Sequence, residues 1–150
     1  MLNLLSAMFY RIETRDDSPL LRIVMRDFWT MTTFDAYMRD CGTAIERLIA
    51  RHGRFDTLGD CNDFPIQGPD VAAAFEHLGQ MTDKTPQNRI AIVTGKALGR
   101  MQADRLVGNP HSKTFRTEAS ALEWLGYVEP PATGHMLSTI VEFPPSRRAG

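Results

Sequence analysis

Apolar and polar residues follow two kinds of pattern along this chain. Short apolar or alternating runs, typical of strands, are separated by longer segments in which apolar residues recur every three or four positions, as in helices. The predicted strands cover residues 8–15, 20–26, 55–61, 90–93 and 113–116, and the predicted helices residues 31–51, 69–81, 96–107 and 118–126. The order ββαβαβαβα predicts an α/β fold with a mostly parallel sheet and an antiparallel N-terminal hairpin.

The strand at 90–93 and the helix after it are the centre of this pattern. The run from Ile90 to Val93 is unbroken, short and rich in β-branched residues, as expected of a strand buried on both faces. Thr94 and Gly95 end it, and a helix begins directly afterwards. Strand, tight turn and helix within twenty residues make a βα unit, and the other elements predict further units of the same kind.

The clearest helix carries one apolar stripe over five turns. Thr30 is placed to cap its start and Gly53 to end it. The stripe consists of Met31, Phe34, Met38, Cys41, Ile45 and Leu48. We expect it to be ordinary core, in which case Ile45→Ala would cost about 2–5 kcal/mol. A ligand-lining surface formed by its Met, Cys and Phe side chains is the alternative.

We expect one folded domain, residues 8–126, followed by a C-terminal extension, residues 127–150. Two adjacent prolines at 130 and 131 separate the last helix from a β-rich run at 137–143. Disordered segments are poor in aliphatic and aromatic residues, so this run predicts an added strand. It would pair with its own domain or with a neighbour in a homodimer, and a frayed tail is the alternative.

Composition limits the classes of function. The 150 residues have a net charge of −1, which argues against a general nucleic-acid-binding protein. No apolar stretch approaches the roughly 18–20 residues that span a bilayer, so we expect no membrane insertion. Two cysteines make no disulfide framework, and the first seven residues have no features of a signal peptide. We therefore expect a cytoplasmic protein.

No arrangement of residues in the sequence predicts catalysis. The four histidines are scattered without metal-ligand spacing, and neither GxGxxG nor a P-loop occurs. No nucleophile can be matched with a base and a residue that orients it. The sequence thus predicts no catalytic residue, no metal site, no cofactor and no enzyme activity.

Candidate binding residues collect at the carboxyl edge of the predicted sheet, where sites of wound α/β folds lie. Trp29, Asp60 and Lys96 each follow or end a predicted parallel strand. Asp60 and Asp63 would hold a cation or act as an acid–base pair. As the interpretation that we favour, Asp63 makes hydrogen bonds within the loop and Asp60 helps to cap it. Cys61 would be an activated thiolate, or, as we favour, a buried structural thiol.

The helix at 96–107 places two polar side chains inside its apolar stripe. Gln102 and Arg105 lie on the same side as Leu98, Met101 and Leu106. An unpaired buried guanidinium would cost several kcal/mol, so Arg105 must reach water or a partner. We favour solvent or a structural ion pair; in the alternative, Gln102 and Arg105 hold a carboxylate or phosphate group of an anionic ligand.

Several short motifs, in this order, resemble the SpoIIAA-like proteins, small bacterial members of the STAS superfamily. The matching segments are RI at 22–23, FWT at 28–30, Asp60 at the end of a strand, IAIV at 90–93, RMQ at 100–102, RL at 105–106, FRTE at 115–118 and ALEWL at 121–125. The resemblance covers residues 8–125. It implies a sheet wound by successive βα turns, related in fold to the CRAL-TRIO lipid-carrier domain, with helices mainly on one side.

The resemblance implies no particular activity. In anti-sigma-factor antagonists of this superfamily, a partner kinase phosphorylates a serine in an Asp-Ser-Ser-Gly turn after the third strand. The corresponding residues here, 60–63, offer no hydroxyl, so that switch is not carried over. We expect a non-enzymatic domain that binds a protein partner or a small amphipathic or anionic ligand. A carrier for a lipid-like molecule is the alternative, and a small enzyme of unknown class the third reading.

Overall fold

The computed structural model describes residues 8–81, 87–107, 111–127 and 138–141, and only the backbone of residues 87, 88, 105–107 and 138–141. The strands are β1 (Tyr10–Arg15), β2 (Ser18–Arg26), β3 (Phe55–Asp63), β4 (Gln87–Val93), β5 (Ser112–Phe115) and β6 (Ser138–Val141). The helices are α1 (Met31–His52), α2 (Pro69–Met81), α3 (Ala97–Val107) and α4 (Glu118–Leu125).

The strands form one mixed sheet in the order β5-β4-β3-β2-β1-β6. Strands β2 to β5 are paired in parallel, while β1 is antiparallel to β2. The prediction of an α/β fold with a mostly parallel sheet and an antiparallel N-terminal hairpin is confirmed. The outer partner of β1 is β6, also antiparallel, with Thr14 opposite Ser138. Of the run predicted at 137–143, four residues thus form a strand within the same chain.

The predicted caps set the bounds of α1. The Thr30 hydroxyl accepts a hydrogen bond from the Thr33 backbone N–H at 3.3 Å, which satisfies one of the unpaired donors at the helix start. Gly53 ends the helix with φ of +77°, a left-handed conformation that glycine adopts without steric cost. The buried face is broader than the predicted stripe, because Thr33, Ala36, Tyr37 and Ala44 are also buried.

Alternating residues of each strand pack on opposite faces of the sheet. One face is covered by α1, α2 and α3, with Leu21, Ile23 and Phe55 in its core and Ile92 packed against Ala103 of α3. The other face is covered by α4, whose Ala121, Leu122 and Leu125 pack on Leu20, Leu58, Ala91 and Val93. We call these the α1–α3 face and the α4 face.

Charged side chains on the α4 face are tied to one another. Arg22 binds Glu13 on β1 at 2.6 Å and Glu118 at the start of α4 at 2.5 Å, and Asp60 lies 3.8 Å from the same guanidinium. This network joins the hairpin to the first turn of α4. Buried charges are tolerated when they are paired in this way.

Asp56 makes a second junction on the α4 face. Its carboxylate is buried and accepts hydrogen bonds from the Tyr127 hydroxyl at 2.6 Å, from Arg54 at 3.2 Å and from the Arg89 backbone N–H at 3.2 Å. Tyr127, which follows α4, is thereby attached to the start of β3.

One boundary differs from the sequence prediction in a way that affects the candidate site. The prediction ended the third strand at Cys61 and placed a loop at Asp60–Asp63, but β3 continues to Asp63. Its last residues stay in the sheet because Asp63 pairs with Arg26 of β2 and its carbonyl accepts the Asp27 N–H at 3.1 Å.

Candidate functional site

A cavity of about 500 Å³ lies between the sheet and helices α1 and α2. Helix α2 packs more closely against α3 than against α1. A gap therefore remains between α1 and α2 above the sheet. Protein interiors are normally packed as densely as organic crystals, with few voids larger than a water molecule. A space of this size is therefore the feature of the α1–α3 face that most needs an explanation.

The floor of the cavity consists of two rows of side chains across the central strands. Leu21, Thr57 and Ile90 are neighbours in register and form one row. In the other row Gly59 lies between Ile23 and Ile92. A methyl group at residue 59 would meet the Ile92 Cδ1 atom at 3.2 Å. The glycine thus leaves a depression in the floor.

The wall contributed by α1 comes from the predicted apolar stripe. Met38, Cys41 and Ile45 of the stripe line the cavity at spacings of three and four residues. Tyr37, which lies beside the stripe, lines the cavity as well. Met38 and Ile45 are half-buried, whereas Phe34 and Leu48 of the same stripe are buried in the core. The stripe therefore contributes both to the core and to the cavity wall. Its alternative role as a ligand-lining surface stays a prediction.

Helix α2 supplies the opposite wall through Phe75, Leu78, Gly79 and Met81. Met81, at the end of the helix, is 47% exposed. The cavity therefore reaches the protein surface beside Met81. Methionine side chains are flexible and polarizable, and they adapt to ligands of irregular shape.

The lining is almost entirely apolar. Among the lining residues that the structure describes, none is charged, and only Tyr37, Cys41 and Thr57 carry a hydroxyl or thiol. Burial raises the pKa of the Cys41 thiol from 9.0 to about 12, although its hydrogen bond with Tyr37 offsets part of the effect. Burial also raises the pKa of the Tyr37 hydroxyl well above 10.0. Both groups are neutral at physiological pH, and a neutral thiol is a poor nucleophile.

Trp29, predicted as a binding residue, stands behind the cavity wall rather than in it. Its ring is buried, with ring centroids 5.0 Å from Tyr37 and 5.5 Å from Phe75, two residues that line the cavity. Its indole N–H donates to the Arg26 carbonyl at 3.1 Å. Trp29 therefore supports the walls and lies close enough to report on an occupant.

Gln102 holds the loop that precedes α2. Its side-chain oxygen accepts the Gln67 backbone N–H at 2.8 Å, and its amide nitrogen donates to the Pro65 carbonyl at 3.2 Å. Both ends of the amide are thus engaged within the protein.

The stripe predicted on α3 is largely exposed where the structure describes it, because Leu98 is 67% and Met101 60% exposed, whereas Ala103 packs against the sheet. Arg105 belongs to the same helix, but its side chain is outside the part that the structure describes.

Gln67 is a positioning residue that the sequence analysis missed. Its buried side chain accepts the Trp29 backbone N–H at 2.8 Å and donates to the carbonyls of Asp27 and Pro65 at 3.1 and 2.9 Å. It connects the segment after β2 with the loop after β3. A single glutamine in a loop carries no periodic signal that could have pointed to this role.

Asp60 and Lys96 remain at the carboxyl edge, away from the cavity. Asp60 accepts two hydrogen bonds from Asn62, at 3.1 Å from the backbone N–H and 3.0 Å from the side chain. Asn62 in turn accepts the Gly95 N–H at 2.8 Å. Lys96 is exposed. Gln67 joins Trp29 to Gln102. Asn62 joins Asp60 to the residue before Lys96. The hypothesis of an anion site at this edge stays a prediction.

Cys61, whose reactivity the sequence left open, lies between the two clusters of the α1–α3 face. Burial, and to a smaller extent the negative charge of Asp60, raises the pKa of its thiol from 9.0 to about 12. The favoured interpretation of a structural thiol agrees with this shift.

Further findings bear on the kind of site that this protein contains. Within the described residues, no group of three or more His, Cys, Asp and Glu side chains is arranged to hold a metal ion. None of the described helices is both long and apolar enough to cross a membrane. No family model and no curated protein matches the chain. The resemblance to SpoIIAA-like proteins therefore remains a prediction from the sequence.

Proposed function

We propose that this protein is a non-enzymatic binding domain that holds a small lipid-like molecule between its sheet and helices α1 and α2. The observation that carries the proposal is the apolar cavity of about 500 Å³. Ligand pockets typically have volumes of about 300–1,000 Å³ and predominantly hydrophobic linings. The cavity agrees with both properties.

The energetics of packing support an occupant. The cavity is open to the surface beside Met81, and its apolar lining offers water few hydrogen-bond partners. The lining side chains therefore lack both close packing contacts and favourable contacts with water. A bound apolar molecule would restore the missing contacts and would stabilise the fold by mass action.

The chemistry of the lining favours storage or transport of the ligand over its conversion. General acid–base and nucleophilic catalysis need groups that ionise or attack near neutral pH. Among the described lining residues, the groups that titrate are Tyr37 and Cys41, and their raised pKa values keep both protonated. A carrier or a ligand-responsive regulatory domain fits such a site better than an enzyme.

Fluorescence of a neutral apolar dye tests the proposal. N-phenyl-1-naphthylamine should bind saturably, with one molecule per chain, and should be excited by energy transfer from Trp29. The only other tryptophan, Trp124, lies on the α4 face. Transfer should therefore persist in a Trp124→Phe variant. The absence of saturable binding would contradict the proposal.

A matched pair of variants locates the dye. Ile45 and Ile49 are the same residue type, one turn apart on α1 and both half-buried, but only Ile45 lines the cavity among the described residues. Ile45→Phe adds volume to the cavity wall and should weaken dye binding at least about tenfold. Ile49→Phe should leave binding nearly unchanged. Equal effects of the two changes would place the dye elsewhere.

Protein docking at the carboxyl edge is a second candidate. Phe28 follows β2, Ile66 follows β3, and Leu98 and Met101 lie in the first turns of α3 after β4; all four are exposed. A contiguous apolar patch marks an interaction surface, and these four side chains would form one if they adjoin at this edge. The first partner to test is a second copy of the chain. Sedimentation should show a dimer that the double change Leu98→Ser and Met101→Ser dissociates; a monomer at all concentrations would exclude self-association.

A further inference from the structure

Building on the proposed function, we infer that the ligand is an uncharged lipophilic molecule with one hydroxyl group, held by the hydroxyl of Thr57. Long-chain alcohols, sterols and terpenoid alcohols belong to this chemical class. Fatty acids, phospholipids and other anionic amphiphiles do not, because their charged headgroup would have to be buried to reach Thr57. This differs from the anionic ligand that the sequence suggested for Gln102 and Arg105.

Strand alternation places the nearby charges on the opposite side of the sheet. Arg22 stands between Leu21 and Ile23 of the cavity floor, and Asp56 stands between Phe55 and Thr57. Because successive side chains of a strand point to opposite faces, both charged groups face α4. Arg22 is bound there by Glu13 and Glu118, and Asp56 by Tyr127.

An anionic headgroup inside the cavity would therefore lack a counter-ion among the described lining residues. Burying an unpaired carboxylate or phosphate costs several kcal/mol. A neutral molecule has no such cost, and each of its buried methylene groups raises affinity about fourfold. The lining thus selects against charge while accepting apolar bulk.

Thr57 is the polar group best placed to orient such a molecule. It lies in the middle of the floor, with Leu21 and Ile90 as its cross-strand neighbours. Thr57 already has an interaction within the protein, but a hydroxyl provides one donor and two acceptor positions. A single existing hydrogen bond uses one of these positions, so the Thr57 oxygen can also accept a hydrogen bond from one ligand hydroxyl. A ligand with several polar groups would leave most of them unsatisfied.

Competition between two ligands of equal chain length tests the selection against charge. 1-Decanol and decanoate are each titrated at pH 8 against bound N-phenyl-1-naphthylamine. We expect decanol to displace the dye at a concentration at least about thirtyfold lower than decanoate, because the carboxylate is unpaired in the cavity. Comparable or stronger displacement by decanoate, or no displacement by decanol, overturns the inference while dye binding upholds the proposed function. If the dye itself does not bind, the proposed function fails and this inference with it.

Substitutions of Thr57 test the anchor. Thr57→Val keeps the shape of the side chain and removes the hydroxyl, and it should weaken decanol binding about five- to tenfold relative to dye binding. Thr57→Ser retains the hydroxyl and should restore the preference for decanol over decane. The anchor is wrong if Thr57→Val leaves decanol affinity unchanged, or if Ser fails to restore the preference. Thermal unfolding of both variants checks that each is folded.

Discussion

The two faces of the sheet are filled differently, although the same strands supply both. On the α4 face, Leu58, Ala91 and Val93 are buried against α4, and the charged groups of Arg22 and Asp56 are paired. On the α1–α3 face, rows of equally apolar side chains leave a cavity of about 500 Å³. An apolar sequence pattern therefore predicts burial, but the spacing of the covering helices decides whether the buried space is filled.

The largest expected loss of stability is for a substitution on the α4 face. Leu58 is fully buried in the cluster under α4. Leu58→Ala should lower the free energy of unfolding by about 3–5 kcal/mol, because it opens a new space in a packed core. Urea denaturation measures this change. A loss below about 1 kcal/mol would show that the α4 face is loosely packed as well.

Alkaline pH should destabilise the protein through two thiols on the α1–α3 face. Cys41 and Cys61 both lie on it, and burial raises both thiol pKa values from 9.0 to about 12. Folding therefore keeps protons that the unfolded chain releases, and the stability present below pH 9 is lost as the pH rises toward 12. Between these two pH values, two such thiols lower the free energy of unfolding by up to about 2.7 kcal/mol per pH unit.

Urea denaturation at pH 8, 9 and 10 measures this slope. A Cys41→Ala, Cys61→Ala double variant should be less stable at pH 8 but should lose less stability between pH 9 and 10. Identical slopes for the variant and the parent protein would contradict the assignment of the raised pKa values to these thiols.

A smaller effect is expected at the junction on the α4 face. Tyr127→Phe removes the 2.6 Å hydrogen bond from the tyrosine hydroxyl to the buried Asp56 carboxylate. The carboxylate keeps its other two donors, the Arg54 side chain and the Arg89 backbone N–H. We expect a loss of about 1–2 kcal/mol in unfolding free energy. No measurable loss would mean that water replaces the tyrosine hydroxyl and that this junction is not closed.

The smallest effect sharpens the comparison within one helix. Ile45 lines the cavity, whereas Leu48, three residues later, is buried in the core. We expect Ile45→Ala to cost about 1 kcal/mol or less in the ligand-free protein, since its side chain already borders unfilled space, and Leu48→Ala about 2–5 kcal/mol. The stripe alone predicts a loss of about 2–5 kcal/mol for Ile45→Ala. In the structure this loss is expected for Leu48→Ala instead. Equal costs would indicate that the space beside Ile45 is packed.

The fold could be predicted because its signals are local. The alternation in β2 placed Leu21 and Ile23 on one face, the stripe and caps gave α1, and the apolar run Ile90–Val93 gave a central strand. The cavity could not be predicted in this way, because Met38, Cys41 and Ile45 have the same spacing and chemistry as core residues. It depends on how far α1 lies from α2, which is a property of the assembled fold.

The polar residues show the same limit. Gln102 was recognised as unusual in an apolar stripe, but its partners, Pro65 and the Gln67 N–H, are more than thirty residues away in the sequence. Without the fold, a ligand was as reasonable a partner as a loop. Asp60 was expected to cap a loop, and it does accept a hydrogen bond from the backbone of Asn62, only two residues away, but it does so within strand β3.

A crystal structure of the protein grown with 1-decanol tests the central claim most directly. We predict electron density for one decanol molecule between the sheet and helices α1 and α2, with its chain along Ile23, Gly59 and Ile92 and its oxygen within hydrogen-bond distance of the Thr57 hydroxyl. The claim would be contradicted if α1 and α2 closed over the sheet so that side chains filled this space, or if decanol bound only elsewhere on the protein.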